Sequence, residues 1–186
     1  KSIVDVFDKT GKEIFKTNLV SSRVADVSIS QDSKYLAIAE IDISGILIQS
    51  SIQVVSMELA QTNPAEAIMY KYQAPTDKLI VNIEYQEQDK LICMYNDGID
   101  VLQEKTSTEL IKFENRQLSF MTIELNNRIA LVEEISTGDY TADTNVKVVN
   151  PVSLKERQYR TKDVAKSIET SDNKIAINFG TELHLI

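Results

Sequence analysis

Acidic residues recur at one position of a repeated pattern in this chain. Glu40, Asn96 and Glu134 each lie six residues after the basic residue that begins an apolar segment, KYLAIAE, KLICMYN or RIALVEE. A fourth copy, KIAINFG, has Gly180 at this position. The loops that follow the first and third copies carry further polar and aromatic candidates: Asp42, Asp139, Tyr140 and Asp143. If the repeated segments are neighbouring strands, we expect these side chains at the same edge of the structure.

Carboxylates gathered at one edge could bind a cation or a basic peptide, and we predict a ligand-binding mouth at the Glu40 and Glu134 loops. Oxygen ligands suit Ca²⁺ or Mg²⁺. The segment GDYTADTN nevertheless lacks the DxDxDG spacing of a calcium loop. A solvated acidic loop is therefore preferred, and no metal is assigned. Tyr140 could anchor a partner or fold back onto its own strands.

Enzymatic chemistry has one alternative in the sequence. Glu40 and Glu134 could serve as the acid and base of a hydrolase or lyase acting on cell-envelope glycans, which needs two carboxyl groups about 5–9 Å apart. A catalytic triad needs a histidine base, and the single histidine, His184, lies in the alternating segment ELHLI. The single cysteine, Cys93, lies in an apolar segment that predicts an inert core position. We predict no catalytic residue and no cofactor.

The elements that position these residues are predicted to be hairpins. The segment VADVSISQDSKYLAIAE, from Val24 to Glu40, has two β-rich runs around a polar turn. The same pattern returns three times, and each hairpin is followed by a third strand and, in the first three copies, by a more polar fourth. Four short antiparallel strands every ~40–50 residues are typical of a β-propeller blade. A β-sandwich with irregular strand spacing is the alternative.

We therefore predict an all-β chain, a single partial β-propeller domain of three full and two partial four-stranded blades. The predicted blade pieces are about 1–20, 24–73, 79–114, 118–160 and 164–186. Either flanking blades are missing or the two ends pair to close a small ring. Unpaired terminal strands would also allow edge-strand self-association, since an exposed edge can recruit another strand.

Several connections have their own predictions. The segment DKTGK should form a hairpin turn with Gly11 at positive φ, and Asn96-Asp97-Gly98 should form a tight turn. The segment 40–51 should continue both of its strands as a long hairpin around Ser44-Gly45. Residues 60–65, which include Asn63-Pro64, should form a short turn or a helical cap.

Composition excludes some partners. The 186 residues carry a net charge of −8, with a pI of about 4.8, which disfavours nucleic acids and anionic membrane surfaces. Apolar residues make up 42% of the chain, as in ordinary globular domains, and no segment reaches the ~18 apolar residues of a membrane span. The chain itself is thus not expected to insert into a membrane.

The segments ISQDSKYLAIAEIDISGILIQSSIQVVSME, NPAEAIMYKY and KLICMYNDGI resemble a family of Gram-positive bacterial propeller proteins known as a domain of unknown function. The turn SQDSKYLAIAE is also similar to that of TolB-like and WD-type propellers, with Ser33 where the general pattern has glycine. The resemblance implies an extracytoplasmic propeller anchored by an N-terminal membrane helix; a cytoplasmic location is the alternative. It implies no established activity and assigns no site residue. Because rigid blades present loops and loops carry function, we expect a non-catalytic scaffold that binds a protein, a peptide or a cell-envelope component through the loop face.

Overall fold

The structure is a computed structural model that describes residues 2–87, 89–113, 117–123, 128–136, 142–150, 153, 155–171 and 174–186. For 117–121, 123, 134–136 and 142 it describes the backbone alone. These residues form antiparallel sheets joined by short connections. No helix within the described ranges is both long and apolar enough to cross a membrane.

Five sheets follow one another along the chain, and in each one the strands pair in sequence order. The first sheet has two strands, β1 (Ser2–Phe7) and β2 (Glu13–Leu19). The second contains β3 (Ser22–Ile29), β4 (Tyr35–Asp42), β5 (Gln49–Ser56) and β6 (Ile68–Gln73). The third contains β7 (Ile80–Tyr85), β8 (Lys90–Tyr95), β9 (Gly98–Gln103) and β10 (Thr106–Lys112). The fourth contains β11 (Gln117–Ile123), β12 (Ile129–Ser136), β13 (Ala142–Val149) and β14 (Glu156–Thr161), and the fifth β15 (Ser167–Ser171), β16 (Lys174–Asn178) and β17 (Leu183–Leu185).

Burial follows the position of a strand within its sheet. The second strands β4 and β8 are buried over almost their whole length, on both faces. The fourth strands β6, β10 and β14 are exposed or half-buried, as expected for an edge in water. The sheets are therefore built as predicted, with apolar central strands and a polar fourth strand.

The chain divides into two compact units, residues 1–111 and 112–186. In the first unit, the β1–β2 sheet packs against one face of the β3–β6 sheet through Phe15, Leu36 and Ile38. The other face of that sheet contributes Ala37, Ala39 and other residues to a core shared with the β7–β10 sheet. From residue 35 to residue 39 of β4, side chains with odd and even numbers thus belong to different cores.

The second unit has a core of the same kind. Ala130 and Val132 of β12 and Val146 of β13 pack against Ile175 and Ile177 of β16. All five side chains are nearly or fully buried. A sheet in either unit buries a face only by packing against the next sheet, which is the logic of a repeat protein.

Most of the predicted connections are confirmed. Gly11 adopts a φ of +85° in the β1–β2 turn, and Tyr95 pairs with Gly98 across the Asn96-Asp97 turn. The predicted helical cap is a short helix, α1 (Met57–Thr62), followed by a 3₁₀ helix at Pro64–Glu66. The Ser56 hydroxyl accepts the Leu59 N–H at the start of α1, which satisfies one of the free N–H groups of the helix.

The predicted hairpin over 40–51 forms, but its strands end earlier than predicted. The paired strands end at Asp42 and Gln49, and 43–48 form bends. The Asp42 carboxylate explains the early end. Its Oδ1 accepts the Ser44 backbone N–H at 2.8 Å and the Ser44 hydroxyl at 2.6 Å, and such local bonds compete with the ladder of a sheet.

Candidate functional site

Glu40 lies near the end of β4, and its side chain is buried. The residue is 3% exposed. The Ser22 hydroxyl donates to Oε2 at 2.6 Å, and the Gln53 amide donates to Oε1. The Lys71 ammonium lies 3.8 Å from Oε2. These three partners come from β3, β5 and β6, so the carboxylate joins all four strands of its sheet.

The pairing of the strands shows which residues of the other sheets are structurally equivalent to Glu40. A register shift occurs in the first strand of three hairpins, after Val24, after Ile80 and after Leu118. The residues opposite these positions are Glu40, Tyr95 and Glu133. The alignment of Glu40 with Asn96 and Glu134 is therefore wrong by one residue.

The physical reason for the error lies in the first turn. Six residues, 30–35, separate the paired ends of β3 and β4. Only five residues, 86–90, separate the paired ends of β7 and β8. Lys34 therefore lies in a turn, while Lys90 begins its strand. Since side chains alternate between the two faces of a strand, a one-residue shift assigns a position to the opposite face.

Glu133 occupies the same environment as Glu40. It is fully buried, its Oε2 accepts the Asn145 amide at 2.9 Å, and the Lys147 ammonium lies 3.3 Å from Oε1. In the intervening sheet, where Tyr95 stands at this position, Lys78 lies 3.0 Å from both carboxylate oxygens of Asp100. The Lys78 ammonium also lies 4.9 Å from the centre of the Tyr95 ring. Each four-stranded sheet thus holds a compensated polar cluster at the same end of its central strands.

The other predicted ligand residues each have local contacts of their own. Asp42 ends β4, and the Ser44 hydroxyl and backbone N–H hold the pKa of its carboxyl below the usual value. Asn96 ties the β8–β9 turn to the segment before β7, because its Oδ1 accepts the Leu79 N–H at 2.8 Å. Asp143 on β13 accepts a hydrogen bond from the Arg160 guanidinium at 2.8 Å.

The remaining members of the predicted mouth are described less fully. Glu134 is described by its backbone, which pairs with Thr144. Asp139 and Tyr140 lie outside the described residues. Glu40 and Asp42 line one small polar cavity of about 80 Å³ together with Lys71. The predicted ligand mouth at Glu40 and Glu134 stays a prediction.

An exposed apolar segment adjoins Asp42. Residues 43–48, which we call the apolar loop, include Ile43, Ile46, Leu47 and Ile48, which are 58%, 103%, 61% and 47% exposed. The bonds from Ser44 to Asp42 fix the start of the loop. The sequence signal for this loop was the ILI run, which we interpreted as strand.

Another cavity in the first unit lies at the opposite end of the β3–β6 sheet, where β4 begins. It has a volume of about 530 Å³. We call it the tyrosine groove, and its aromatic and charged lining consists of Tyr35, Tyr70, Tyr85, Asp89, Glu104 and Lys105. The sequence reasoning did not find this groove, although tyrosines at the ends of successive strands were a visible signal.

Cys93 and His184 are the single cysteine and the single histidine of the chain, and each makes contacts with its own sheet. Cys93 is fully buried in the core between two sheets, and burial raises the pKa of its thiol far above the usual value. His184 lies 3.1 Å from the Tyr159 hydroxyl through Nδ1 and 3.1 Å from Glu182 through Nε2. Among the described residues, no group of three or more His, Cys, Asp and Glu side chains could hold a metal ion.

With this geometry in place, the chain can be compared with known proteins. The profile of a family of unknown function matches residues 1–186. The chain belongs to this family, DUF5711. No curated protein shows a significant sequence match to the chain.

Solved structures show the fold. The β-propeller domain of Cps50 (Swd1) from Myceliophteria thermophila is 11% identical, with a TM-score of 0.61 over 95% of this chain and 55% of that one. The C-terminal WD40 domain of Sif2 is 16% identical, with a TM-score of 0.55 over 94% and 57%. Kuenenia stuttgartiensis hydrazine synthase is 13% identical, with a TM-score of 0.64 over 94% and 49%.

These likenesses confirm that the sheets are blades of a β-propeller fold, as predicted for this all-β chain. The described residues form three four-stranded blades, one two-stranded piece and one three-stranded piece. The chain spans about half to three fifths of the length of the solved structures it matches.

Proposed function

We propose that the domain is a non-catalytic scaffold that binds a protein, a peptide or a cell-envelope component through the connections at the Asp42 end of its blades. The observation that carries this proposal is the apolar loop. Four large aliphatic side chains in six consecutive residues are all about half exposed or more. Clusters of exposed apolar side chains mark interaction surfaces, whereas isolated ones are ordinary.

The apolar loop has the properties of a contact surface. Its strand partners end at Asp42 and Gln49, so the loop projects beyond the ladder while its base is fixed. Burial of an aliphatic side chain of this size stabilises a complex by roughly 1.5–3 kcal/mol before the costs of association. A rigid blade that carries a variable loop is also the usual way in which a repeat scaffold gains a binding function.

The polar clusters support binding over catalysis. The Glu40 carboxylate already accepts hydrogen bonds from Ser22 and Gln53 and lies beside Lys71. A catalytic acid or base must instead reach the proton of a substrate. A hydrolase that uses Glu40 would first have to break this cluster.

Localisation is proposed from the family resemblance alone. We place the domain outside the cytoplasm, anchored by an N-terminal membrane helix that is not part of this chain. Protease treatment of intact cells that carry the whole protein should then degrade the domain. Protection in intact cells, with degradation after lysis, would indicate the cytoplasmic alternative.

Site-specific photo-cross-linking in the native cell tests the binding proposal. A photoreactive amino acid at position 46 should give a discrete cross-linked product, while the same group at Glu66, an exposed residue of the 3₁₀ helix, should not. The double variant Ile46→Ser, Leu47→Ser should weaken partner binding by tenfold or more. The matched variant Ile3→Ser, which also removes an exposed aliphatic side chain, should leave binding unchanged. Equal cross-linking at positions 46 and 66 would refute the proposal.

A further inference from the structure

The tyrosine groove is formed by two neighbouring blades. Tyr35 begins β4, Tyr70 lies on β6 and Tyr85 ends β7. Asp89 lies in the β7–β8 turn, and Glu104 and Lys105 form the β9–β10 turn. The groove thus lies at the end where β4 begins, whereas the apolar loop follows the end of β4.

The walls of the groove are held in place across the two blades. The Tyr85 N–H donates to the Ser28 hydroxyl at 3.0 Å, and the Ile83 N–H donates to Asp26 at 2.9 Å. Tyr85 belongs to the core between the blades, and Tyr35 and Tyr70 pack against it. The aromatic walls are therefore fixed before any ligand arrives, which lowers the entropic cost of binding.

The hydroxyl groups in the groove have unused hydrogen-bonding capacity. Within the described ranges, the hydroxyls of Tyr35, Tyr70 and Tyr85 form no hydrogen bond to another residue. Burial, together with the negative charges of Glu104 and Asp89, raises the pKa of Tyr70 to about 12. Tyr70 is therefore a neutral phenol at physiological pH, and its ring lies in the field of the two carboxylates.

The carboxylates of the groove form no ion pair with a described residue, although Lys105 also lines the groove. Asp89 accepts a hydrogen bond from the neutral amide of Gln103 at 2.6 Å. Glu104 forms no hydrogen bond or ion pair within the described part of the chain. Its backbone has a φ of +53°, in the left-handed region that favours glycine. Glu104 is thus an exposed glutamate beside the aromatic cavity, with no ion pair among the described residues.

These features select the chemistry of the ligand. Aromatic rings bind a cation over their faces, and arginine is found there more often than lysine. A guanidinium group is planar, so it can stack on a ring while it donates to a carboxylate. The cavity volume of about 530 Å³ falls in the range of roughly 300–1,000 Å³ of sites that enclose a small ligand.

We propose that the tyrosine groove binds the guanidinium group of an arginine side chain presented by a partner polypeptide. Tyr35 and Tyr70, which pack against the core that contains the nearly buried Tyr85, supply ring faces and phenol oxygens, and Glu104 and Asp89 supply the negative charge. This second site does not depend on the apolar loop.

Calorimetric titration of the full 186-residue chain with a capped pentapeptide that has a central arginine tests the proposal. The same peptide with citrulline, which keeps the shape but not the charge, should bind at least tenfold more weakly. Glu104→Gln should weaken the arginine peptide about tenfold, the loss expected for one charge-assisted hydrogen bond. The control Glu109→Gln, on exposed β10 outside the groove, should leave affinity unchanged.

A second pair of variants tests the ring face. Tyr70→Phe keeps the aromatic face and should retain most of the affinity, whereas Tyr70→Leu should lose it; unfolding curves establish that both variants fold.

Equal binding of arginine and citrulline peptides, or preferential binding of a glycan fragment, would overturn the proposal. Equal binding of a lysine peptide would overturn the guanidinium assignment. If N-acetylarginine amide binds as tightly as the pentapeptide, the ligand is a small guanidino compound and the polypeptide part is wrong. The Ile46→Ser, Leu47→Ser variant should bind the arginine peptide with unchanged affinity. The proposal for the apolar loop and the proposal for the tyrosine groove can therefore fail independently of each other.

Discussion

Replacement of Glu40 by alanine should destabilise the domain strongly, because the carboxylate joins four strands of one blade. Loss of the side chain leaves the Ser22 hydroxyl and the Gln53 amide without their acceptor. An unsatisfied buried donor costs about 1–3 kcal/mol. The half-exposed Lys71 can return to water, so its ion pair adds at most about 1 kcal/mol. We expect a total loss of about 3–5 kcal/mol, most of it from the two unsatisfied donors.

Urea unfolding followed by circular dichroism measures this loss. The midpoint of Glu40→Ala should fall while the m-value stays constant, since the surface exposed on unfolding is unchanged. Glu40→Gln preserves the shape and should lose less than Glu40→Ala. The exposed control Glu66→Ala should change stability by no more than about 0.5 kcal/mol. If Glu40→Ala matches this control, the carboxylate is not part of a buried cluster, and a role in ligand binding regains its basis.

Three further predictions concern single positions. Ser33 adopts a φ of +59°, so Ser33→Gly should stabilise the domain by about 0.5–1 kcal/mol in urea unfolding, and a loss of stability would contradict the left-handed geometry. The Cys93 thiol should react with a disulfide reagent only as fast as the protein unfolds, because it is buried and its pKa is raised; rapid labelling of the folded protein would contradict the buried position. Hydrogen bonds from Thr10, Ser30 and Ser44 lower the pKa values of Asp8, Asp32 and Asp42 below 3.8. The stability that these three carboxylates contribute is complete above pH 3.8 and should be lost as the pH falls through their lower folded pKa values. Asp42→Asn removes one of these titrating groups, so the melting temperature of this variant should fall less on acidification than that of the unchanged protein.

The blades could be predicted from the sequence because local signals agreed with one another. The SQDSK turn, the apolar KYLAIAE strand and the polar fourth strand each indicated the same hairpin unit, and the structure contains all of them. The pairing order in every sheet then follows from the sequence order. Antiparallel strands joined by short turns leave few other arrangements.

The site could not be predicted in the same way because it depends on register. Lys34 and Lys90 look equivalent in the sequence, but one extra residue in the first turn moves Lys34 out of the strand. The equivalent of Glu40 is therefore Glu133, whose burial beside Lys147 no local pattern indicates. The tyrosine groove depends on contacts between blades that are about 50 residues apart, which a spacing rule within one hairpin does not contain.

The ILI run illustrates a different limit. Apolar residues between two strands normally indicate continued pairing, but Ile46 has no layer to pack on and is exposed. Hydrophobicity alone does not distinguish a buried strand from an exposed apolar loop.

The blade architecture underlies both proposals, and native-state hydrogen exchange measured residue by residue tests it most directly. Amides of the buried central strands β4 (Tyr35–Asp42) and β8 (Lys90–Tyr95) should exchange only through global unfolding, with a free energy equal to that from urea unfolding. Alternate amides of the outer strands β6 and β10, which face water, should exchange at much lower free energies. Equal protection of β4 and β6, or stronger protection of β6, would contradict the arrangement of these sheets as blades.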